Sequence, residues 1–302
     1  MKEKSLDGKI ALVAGATRGA GRAMAVSLAE AGAVVYATGR SSRFRQSNSR
    51  PETIEETAEL IRRSGETGKA EVVDHNAEAE VKKLMEKIND EQGKLDICVN
   101  DIWGGEAFID WVKPFWEQDI QKGISMFGNA VFTHLITSKH AVPLLRKGDN
   151  SLLVEITDGV GYHYRGNMFY SLVKIATNHL SLGYSEEFKE KGIDNLTSVS
   201  LTPGFLRSEE MLDRFGVNEG NWREAIKEHP DFAGSETPYY IGRGLVQLAA
   251  NPNHRRFDGQ TLSTWGLSKI YEFTDIDGTR PDWERFHSLY KKGSIDPFNW
   301  RY

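Results

Sequence analysis

Residues 9–22 read KIALVAGATRGAGR, and the rest of the chain is arranged around this stretch. An apolar run from Ile10 to Val13 is followed by glycines at positions 15, 19 and 21, and then by a helix-forming segment from Arg22 to Ala31. This order predicts a strand, a tight turn and a helix. Glycine suits a turn with positive φ or close approach to a ligand, and a helix N-terminus offers unpaired N–H groups. The stretch therefore predicts a site for the pyrophosphate of a dinucleotide.

Apolar runs alternate with helical patterns over the rest of the chain. The further predicted strands lie at 33–38, 70–73, 95–99, 151–156, 195–201 and 260–264, and the further helices at 51–63, 78–92, 119–145, 168–189 and 236–250. Repeated β–α units form parallel sheets with helices on both faces. We therefore predict an α/β fold, a doubly wound Rossmann-type parallel sheet of about seven strands. We expect one dinucleotide-binding and catalytic domain over 1–265, with an aromatic-rich extension, 266–302, packed on it.

Composition narrows the classes of partner. Lys and Arg number 38, Asp and Glu 43, and the net charge of −5 gives no general attraction to nucleic acid or to an anionic membrane. The single cysteine, Cys98, lies in an apolar run and excludes a disulfide framework, and no group of His, Asp or Glu has metal-ligand spacing. The N-terminus is charged where a signal peptide is apolar, and no apolar run could span a membrane. We expect a soluble, cytoplasmic protein that acts on a small molecule.

The end of the second predicted strand indicates which dinucleotide binds. An acidic side chain there would bond the ribose 2'-hydroxyl of NAD, whereas a basic one accommodates the 2'-phosphate of NADP. This chain has Thr38, Gly39 and Arg40, with no acid up to residue 50. Arg18 in the glycine turn and Arg40 could converge on that phosphate, because a guanidinium offers paired donors to phosphate oxygens. A solvated basic loop is the alternative, and we favour NADP(H).

A second motif, YSLVK, places Tyr170 and Lys174 on one face of a predicted helix. That helix follows the fifth strand, after a turn that begins at Thr157. Ligands of doubly wound sheets bind at the carboxyl ends of the strands. The pair is therefore predicted to face the ligand site.

With these motifs the chain resembles the short-chain dehydrogenase/reductase family over residues 7 to about 264. The resemblance rests on AGATRGAG (14–21), VVDHN (72–76), VNDIWGG (99–105), YSLVK (170–174) and TPGFLRS (202–208), which occur in the family's order. The tail YEFTDIDGTRPDW (271–283) is similar to that of the family's dehydrogenase/reductase member 1-like branch.

The resemblance implies an NADP(H)-dependent oxidoreductase that reduces a carbonyl group or oxidises a secondary alcohol. Tyr170 would exchange a proton with the substrate oxygen while the nicotinamide carbon exchanges a hydride, and Lys174 would lower the phenol pKa and bond the ribose. The catalytic residues so implied are Tyr170, Lys174, Thr157, Asp158 and Ser125. The cofactor-binding residues so implied are Gly15, Thr17, Arg18, Gly19, Ala20, Arg40, Asp74, His75, Asn100, Ile102, Tyr170, Lys174, Pro203, Gly204, Phe205, Leu206 and Ser208.

The chain departs from the family pattern where the substrate carbonyl is oriented. Asp158 stands at the position of the family's catalytic serine, Ser125 near that of the helix asparagine, and Asp101 at that of the second asparagine after strand four. A carboxylate at position 158 would repel a developing oxyanion and raise the phenol pKa. Either Asp158 is protonated and donates a hydrogen bond, or it turns toward a base such as Arg165 and Thr157 supplies the hydroxyl. We prefer the second arrangement.

Other functions stay open at this point. A disabled site would make the chain an NADP(H)-binding protein with little turnover, and the same Tyr and Lys could serve a lyase or an epimerase. Aromatic residues after strand ends favour a small apolar carbonyl or alcohol substrate; they are Trp103, Phe108, Trp111, Tyr162, Tyr164, Phe169 and Phe205, with a substrate lid expected over 207–222. We expect a homo-oligomer, and we expect the aromatic tail to pack either on a partner subunit or over the substrate mouth.

Overall fold

A computed structural model describes residues 4–47, 49–64 and 67–301 of the chain. Within these residues, seven strands form one sheet in the order β3-β2-β1-β4-β5-β6-β7, and every neighbouring pair is parallel. The strands are β1 (Ile10–Ala14), β2 (Val34–Gly39), β3 (Gly68–Val72), β4 (Ile97–Asn100), β5 (Ser151–Ile156), β6 (Leu196–Thr202) and β7 (Thr261–Ser263). The predicted doubly wound parallel sheet is confirmed.

Helices flank the sheet and continue into the C-terminal segment. They are α1 (Gly19–Glu30), α2 (Ile54–Arg63), α3 (Glu78–Gln92), α4 (Ile120–Phe127), α5 (Thr133–Leu145), α6 (Met168–Glu190), α7 (Glu209–Arg214), α8 (Pro238–Ala250), α9 (Thr264–Tyr271) and α10 (Trp283–Lys291). Short 3₁₀ helices lie at Glu106–Phe108, Phe115–Glu117, Trp222–Lys227, Pro230–Gly234, His254–Phe257 and Pro297–Asn299. None of the described helices is long and apolar enough to cross a membrane.

The helix predicted over 119–145 is interrupted, which corrects the sequence-based boundary. A π-helical turn, Gly128–Phe132, separates α4 from α5. In this turn the Asn129 amide donates to the carbonyl of Gly104 at 3.1 Å, in the loop after β4. Such turns are typical of functional sites, because the extra residue redirects side chains that a regular helix would leave in place.

The central strands are buried on both faces of the sheet, and β1 is apolar along its whole length. Ala11 and Val13 of β1 belong to one core cluster, which includes α1 and α8, whereas Ile10 and Leu12 belong to the cluster under α3 and α5. This alternation follows from the two-residue period of a strand. Cys98 of β4 is fully buried, and burial raises the pKa of its thiol.

The C-terminal segment joins a third apolar cluster. Phe286 of α10 and Trp300 are buried in it together with Trp222 and Phe232 from the two 3₁₀ helices that follow α7. The tail thus packs on the segment that carries the expected substrate lid. The order of the strands reverses between β1 and β4, which places the ligand-binding crevice of such folds at their carboxyl ends.

Candidate active site

The turn between β1 and α1 forms a cradle that only glycine permits. Gly15 has φ +90°, and a Cβ there would clash with the carbonyl oxygen of Asp101 in the loop after β4. A Cβ on Gly21 would clash with the carbonyl oxygen of Gly15. The missing side chains let α1 approach the sheet with its N-terminus toward a cleft of about 540 Å³ at the carboxyl ends of the strands.

The cleft brings together most of the predicted cofactor residues. Those that line it are Gly15, Thr17, Arg18, Gly19, Ala20, Arg40, Asp74, His75, Ile102, Tyr170, Lys174, Pro203, Gly204, Phe205, Leu206 and Ser208. Asn100 does not line the cleft, which corrects its predicted place. It is fully buried at the end of β4, where its amide donates to Ser138 and Glu155, each at 2.9 Å.

His75 lines the cleft beside the end of β2 but is held by two hydroxyls. Its ring nitrogens lie 2.8 Å from Thr38 Oγ1 and 2.7 Å from Thr137 Oγ1. Burial lowers the pKa of His75 to about 3, so the imidazole is neutral at physiological pH. The neutral imidazole of His75 can therefore form a hydrogen bond at the cleft without adding a positive charge.

The two arginines predicted to bind a 2'-phosphate have different surroundings. Arg40 reaches across the cleft toward Gly104, where a Cβ would lie 3.2 Å from its Nη2. Arg18 faces Glu210 of α7, with 4.0 Å between Nη2 and Oε2. Of the other basic residues in this loop, Arg50 pairs with Glu52 and with Asp213.

Tyr170 and Asp158 face each other in the cleft. The Tyr170 hydroxyl donates to Asp158 Oδ2 at 2.7 Å. Burial, and then the neighbouring carboxylate, raise the pKa of Tyr170 well above its ordinary value. Trp103 and Trp111 contact the phenol ring edge-on, with ring centroids 5.6 and 5.4 Å from it. The phenol is therefore held in place with its hydroxyl toward a carboxylate.

Lys174 lies one turn further along α6 and is also buried. Its ammonium is 4.2 Å from the ring centroid of Trp103 and 5.5 Å from that of Tyr170. Burial lowers the pKa of Lys174, an effect that the nearby carboxylates Asp158 and Asp101 oppose.

Besides Asp158, the carboxyl groups of Asp101 and Glu106 act on this ammonium, and the sequence did not indicate Glu106. Burial raises the pKa of Asp101 to about 7, although Lys174 and a hydrogen bond from the Gly21 N–H oppose the shift. Burial likewise raises the pKa of Glu106, which lines the cleft on the 3₁₀ helix after β4. No motif or spacing distinguishes Glu106 from an ordinary loop residue, so sequence reasoning missed it.

The preferred arrangement of Asp158, turned toward Arg165, is wrong. Arg165 donates from Nε to the backbone carbonyl of Asp158 at 2.6 Å. Its terminal nitrogens donate to the carbonyls of Gly159, Gly161 and His163 at 2.9–3.2 Å. Because this guanidinium binds the backbone of the loop, the Asp158 carboxylate is left to face Tyr170.

The Tyr170 hydroxyl bonds to Asp158 and not to either of the two other predicted catalytic hydroxyls. Thr157 lines the cleft, but its hydroxyl donates to the backbone carbonyl of Lys174 at 3.1 Å. Ser125 is half-buried in α4 and does not line the cleft, which corrects its predicted place. Asn129, in the π-helical turn that follows, contacts the loop after β4 instead, through its hydrogen bond to the carbonyl of Gly104.

The predicted aromatic wall is only partly at the cleft. Trp103 and Phe205 line it, and Trp111 contacts Tyr170. Phe108 and Phe169 do not line the cleft but pack, with Trp103 and Tyr170, against the apolar cluster around Met126, and Tyr162 and Tyr164 are 89% and 66% exposed. Trp283 of α10 also lines the cleft and stacks on Phe205, with 6.1 Å between ring centroids.

The sequence matches a known family over the part that builds this cleft. The profile of the family described as short chain dehydrogenase matches residues 9–215. The chain belongs to the short-chain dehydrogenase family. This family of oxidoreductases was predicted from the glycine turn and the Tyr–Lys pair, and the prediction is confirmed.

Individual short-chain dehydrogenases extend the match to almost the whole chain. Dehydrogenase/reductase SDR family member 1 of Mus musculus is 30% identical over 300 residues, which is 98% of this chain and 91% of that protein. The Homo sapiens protein of the same name is 28% identical, covering 90% and 85%. The 7alpha-hydroxysteroid dehydrogenase of Clostridium sardiniense is 28% identical, covering 70% and 78%. The predicted likeness to the member 1 branch is confirmed.

Solved structures share the fold at lower identity. A short chain dehydrogenase from Mycobacterium thermoresistibile has a TM-score of 0.75 and 21% identity and covers 92% of each chain. A short chain dehydrogenase from Shigella flexneri, solved in complex with NADP, has a TM-score of 0.70 and 23% identity, covering 87% of this chain and 99% of its own.

Proposed function

We propose that this short-chain dehydrogenase is an NADP(H)-dependent oxidoreductase that reduces a carbonyl group or oxidises a secondary alcohol. The observation that carries the proposal is that Tyr170 and Lys174, one turn apart on α6, line the same cleft as the glycine turn of α1. A proton donor beside a dinucleotide site is what hydride transfer to a carbonyl requires.

The residues of the cleft fit a dinucleotide. The cradle at Gly15 and Gly21 has no room for a side chain, and the N-terminus of the twelve-residue α1 faces the cleft, where a pyrophosphate would bind. Arg18 and Arg40 line the cleft, and no acidic residue occurs between the end of β2 and residue 50, which favours a 2'-phosphate. The Shigella flexneri relative was solved with NADP, which agrees with this choice. The bound cofactor would supply or accept the hydride.

The chain's own residues then handle the proton. The hydrogen of the Tyr170 hydroxyl is directed at Asp158, so the phenol would have to turn away from that carboxyl group to donate to a substrate oxygen. In the oxidation direction Tyr170 would take the proton of the alcohol as its phenolate, and the neighbouring Asp158 opposes formation of that phenolate because it raises the pKa of the phenol. Lys174 would bind the ribose and place a positive charge beside the phenol.

The lining of the cleft favours an apolar substrate. Trp103, Phe205 and Trp283 line it, and Trp111 packs on the ring of Tyr170. Apolar pockets with a few polar groups are typical of sites for small organic ligands. One relative is named as a dehydrogenase of a hydroxysteroid, an apolar alcohol, which supports the same class of substrate here.

One observation favours a second candidate function. The Tyr170–Asp158 hydrogen bond and the raised pKa of the phenol make proton transfer to a substrate harder. A chain with that defect would bind NADP(H) with little turnover.

A single variant separates the two candidates. Tyr170→Phe keeps the ring and its contacts with Trp103 and Trp111 but removes the hydroxyl. On a panel of apolar ketones, followed by nicotinamide absorbance, we expect turnover to fall on the order of 10³-fold. The NADPH dissociation constant, measured by fluorescence titration, should stay within about twofold because the phenol is not a phosphate ligand.

Tyr164→Phe is the matched control. It removes a hydroxyl from an exposed loop, where that hydroxyl donates to the carbonyl of Gly166 at 2.9 Å, and turnover should not change. NADPH binding without reduction of any ketone, in the parent and in both variants, would favour the binding protein. Conversion of a substrate without net redox change would point to a lyase or epimerase instead.

A further inference from the structure

The N-terminus of α1 is capped by residues from distant parts of the chain. Arg18, at the N-cap position, makes no side-chain hydrogen bond to the helix. Instead, the N–H of Gly19 donates to Glu209 Oε2 at 2.8 Å, from 190 residues along the chain, and the N–H of Gly21 donates to Asp101. Carboxylates stabilise helix N-termini in the same way as phosphates do, by accepting the unpaired N–H bonds.

Glu209 belongs to α7, whose contacts combine ion pairs with the packing of Leu212 against the third apolar cluster. Its three acidic residues face three arginines around the cleft: Glu209 lies 3.6 Å from Arg22, Glu210 4.0 Å from Arg18, and Asp213 2.7 Å from Arg50. Within the described structure α7 has only six residues, none of them fully buried. Ion pairs of exposed or half-exposed side chains contribute little and are readily exchanged.

We propose that Glu209 is an internal competitor for the cofactor, which occupies the anion position at the N-terminus of α1 until the pyrophosphate displaces it. The proposal rests on the proposed function, since it takes the cleft to be a dinucleotide site. Of the two carboxyl groups at this helix end, that of Asp101 is strongly desolvated, whereas the side chain of Glu209 is 33% exposed and can leave.

Displacement has a consequence for the cleft. Ser208, Glu210 and Met211 line it, so α7 contributes part of its wall. A pyrophosphate that takes the N–H of Gly19 removes the partner of Glu209 at the helix end and brings its own negative charge close to Glu210, which lines the cleft. Cofactor binding therefore releases α7 from α1, and the lid over the substrate region rearranges only after the cofactor has entered.

The test compares binding with the stability of the ligand-free protein. Glu209→Gln keeps the size of the side chain and removes its charge. We expect it to bind NADP⁺ and inorganic pyrophosphate about five- to tenfold more tightly by isothermal titration, because the competing carboxylate is gone. The same variant should have a lower Tm without ligand, because α1 loses its cap. Tighter ligand binding together with a lower Tm would distinguish a competitor from a residue with only a structural role, whose substitution should lower both the affinity and the Tm.

Two further variants complete the experiment. Glu224→Gln removes the same charge from an exposed position of the next 3₁₀ helix. Its affinities for NADP⁺ and pyrophosphate should stay within about twofold of the parent's, and its Tm should not change. Glu209→Asp keeps the charge but shortens its reach, so its affinities should fall between those of the parent and Glu209→Gln. Equal or weaker binding by Glu209→Gln overturns the competitor while leaving the proposed function intact. Failure of every protein to bind NADP⁺ overturns the proposed function, and the competitor with it.

Discussion

At position 158 a carboxylate stands 2.7 Å from the phenol that the mechanism needs as acid and base. The carboxylate is one of the causes that raise the pKa of Tyr170, after burial itself. Alcohol oxidation needs the phenolate, so its rate rises with pH through that pKa. Asp158→Asn removes the charge and keeps a polar group. We therefore expect the rise in kcat/KM for oxidation to move to lower pH.

Thr157→Val is the matched control for that shift. Its side chain also lines the cleft, but its hydroxyl is bonded to the carbonyl of Lys174. We expect its pH profile to match the parent's and its turnover to change by less than about threefold. A loss on the order of 10² for Thr157→Val, with an unmoved profile for Asp158→Asn, would show that Thr157 orients the carbonyl.

Arg40 determines the choice of cofactor in the proposed function. Arg40→Ala should weaken NADPH binding by about 1.5–3 kcal/mol, as for a lost charge-assisted pair, and barely affect NADH. Arg45→Ala, an exposed residue of the same basic loop, serves as the control and should affect neither. Equal losses for the two cofactors, measured by titration, would remove Arg40 from the 2'-phosphate site.

The sequence predicted residue identities at the site better than side-chain directions. The glycine turn, Tyr170 and Lys174 are placed by backbone geometry, which the order of strand, turn and helix already determines. The direction of Asp158 depends on Arg165, whose guanidinium binds four carbonyls of one loop. Nothing in the spacing of these residues distinguishes such backbone bonds from an ion pair between the two side chains.

Among the elements, those with a long or doubly buried pattern were predictable. The central strands carry short apolar runs because both of their faces are covered, and α3 and α6 extend over several turns. Two kinds of element were not predictable. The π-helical turn joins α4 to α5 with no loop residues between them, so it does not appear as a break in the sequence pattern, and α7 and the 3₁₀ helices are too short to show a period at all.

The start of α8 carries a buried carboxyl that links stability to pH. Glu236 accepts the N–H of Gly204 at 3.0 Å, and burial raises its pKa from 4.5 to about 8. Because the folded state prefers the neutral carboxyl, the contribution of Glu236 to stability is greatest below pH 4.5 and is lost as pH rises toward 8. The free energy of unfolding should fall by up to about 1.4 kcal/mol per pH unit because of Glu236. Glu236→Gln should remove this part of the decline, because the amide cannot ionise.

Urea unfolding at several pH values measures that difference. Asp275 is also buried with a raised pKa, so part of the decline should remain in Glu236→Gln. Glu228→Gln, at an exposed position of the same region, should follow the parent at every pH. Parallel curves for Glu236→Gln and the parent would mean that Glu236 is ionised in the folded protein.

On the scale of the whole molecule, the sheet unites motifs that lie far apart in the chain. The parallel order β1-β4-β5-β6 brings the turns after these strands to one edge, so residues from the glycine turn to the 203–208 stretch share one cleft. This assembly was predictable, because parallel strands present their carboxyl ends together. The place of the tail was not, since its aromatic residues fit a subunit contact as well as a cleft wall.

The tail's contacts allow a test of its part in the fold and in the site. Phe286 is fully buried among Trp222, Phe232 and Trp300, so Phe286→Ala should destabilise the protein by about 3–5 kcal/mol in urea unfolding. Trp283 lies at the cleft instead, stacked on Phe205. We expect Trp283→Ala to raise the KM for an apolar ketone several-fold with a smaller loss of stability.

Phe298→Ala, at a 51% exposed aromatic residue of the same tail, is the control for both measurements and should change neither stability nor KM by much.

The homo-oligomer that we expect adds a third readout, the size of the particle by light scattering. If the tail covers the cleft, Trp283→Ala alters KM and leaves the particle size unchanged. If it joins subunits, the same change shifts the particle toward monomer. Proteolytic removal of the tail without effect on stability, size or activity would contradict both roles, because a cluster that excludes water from four large aromatic side chains cannot be lost without cost.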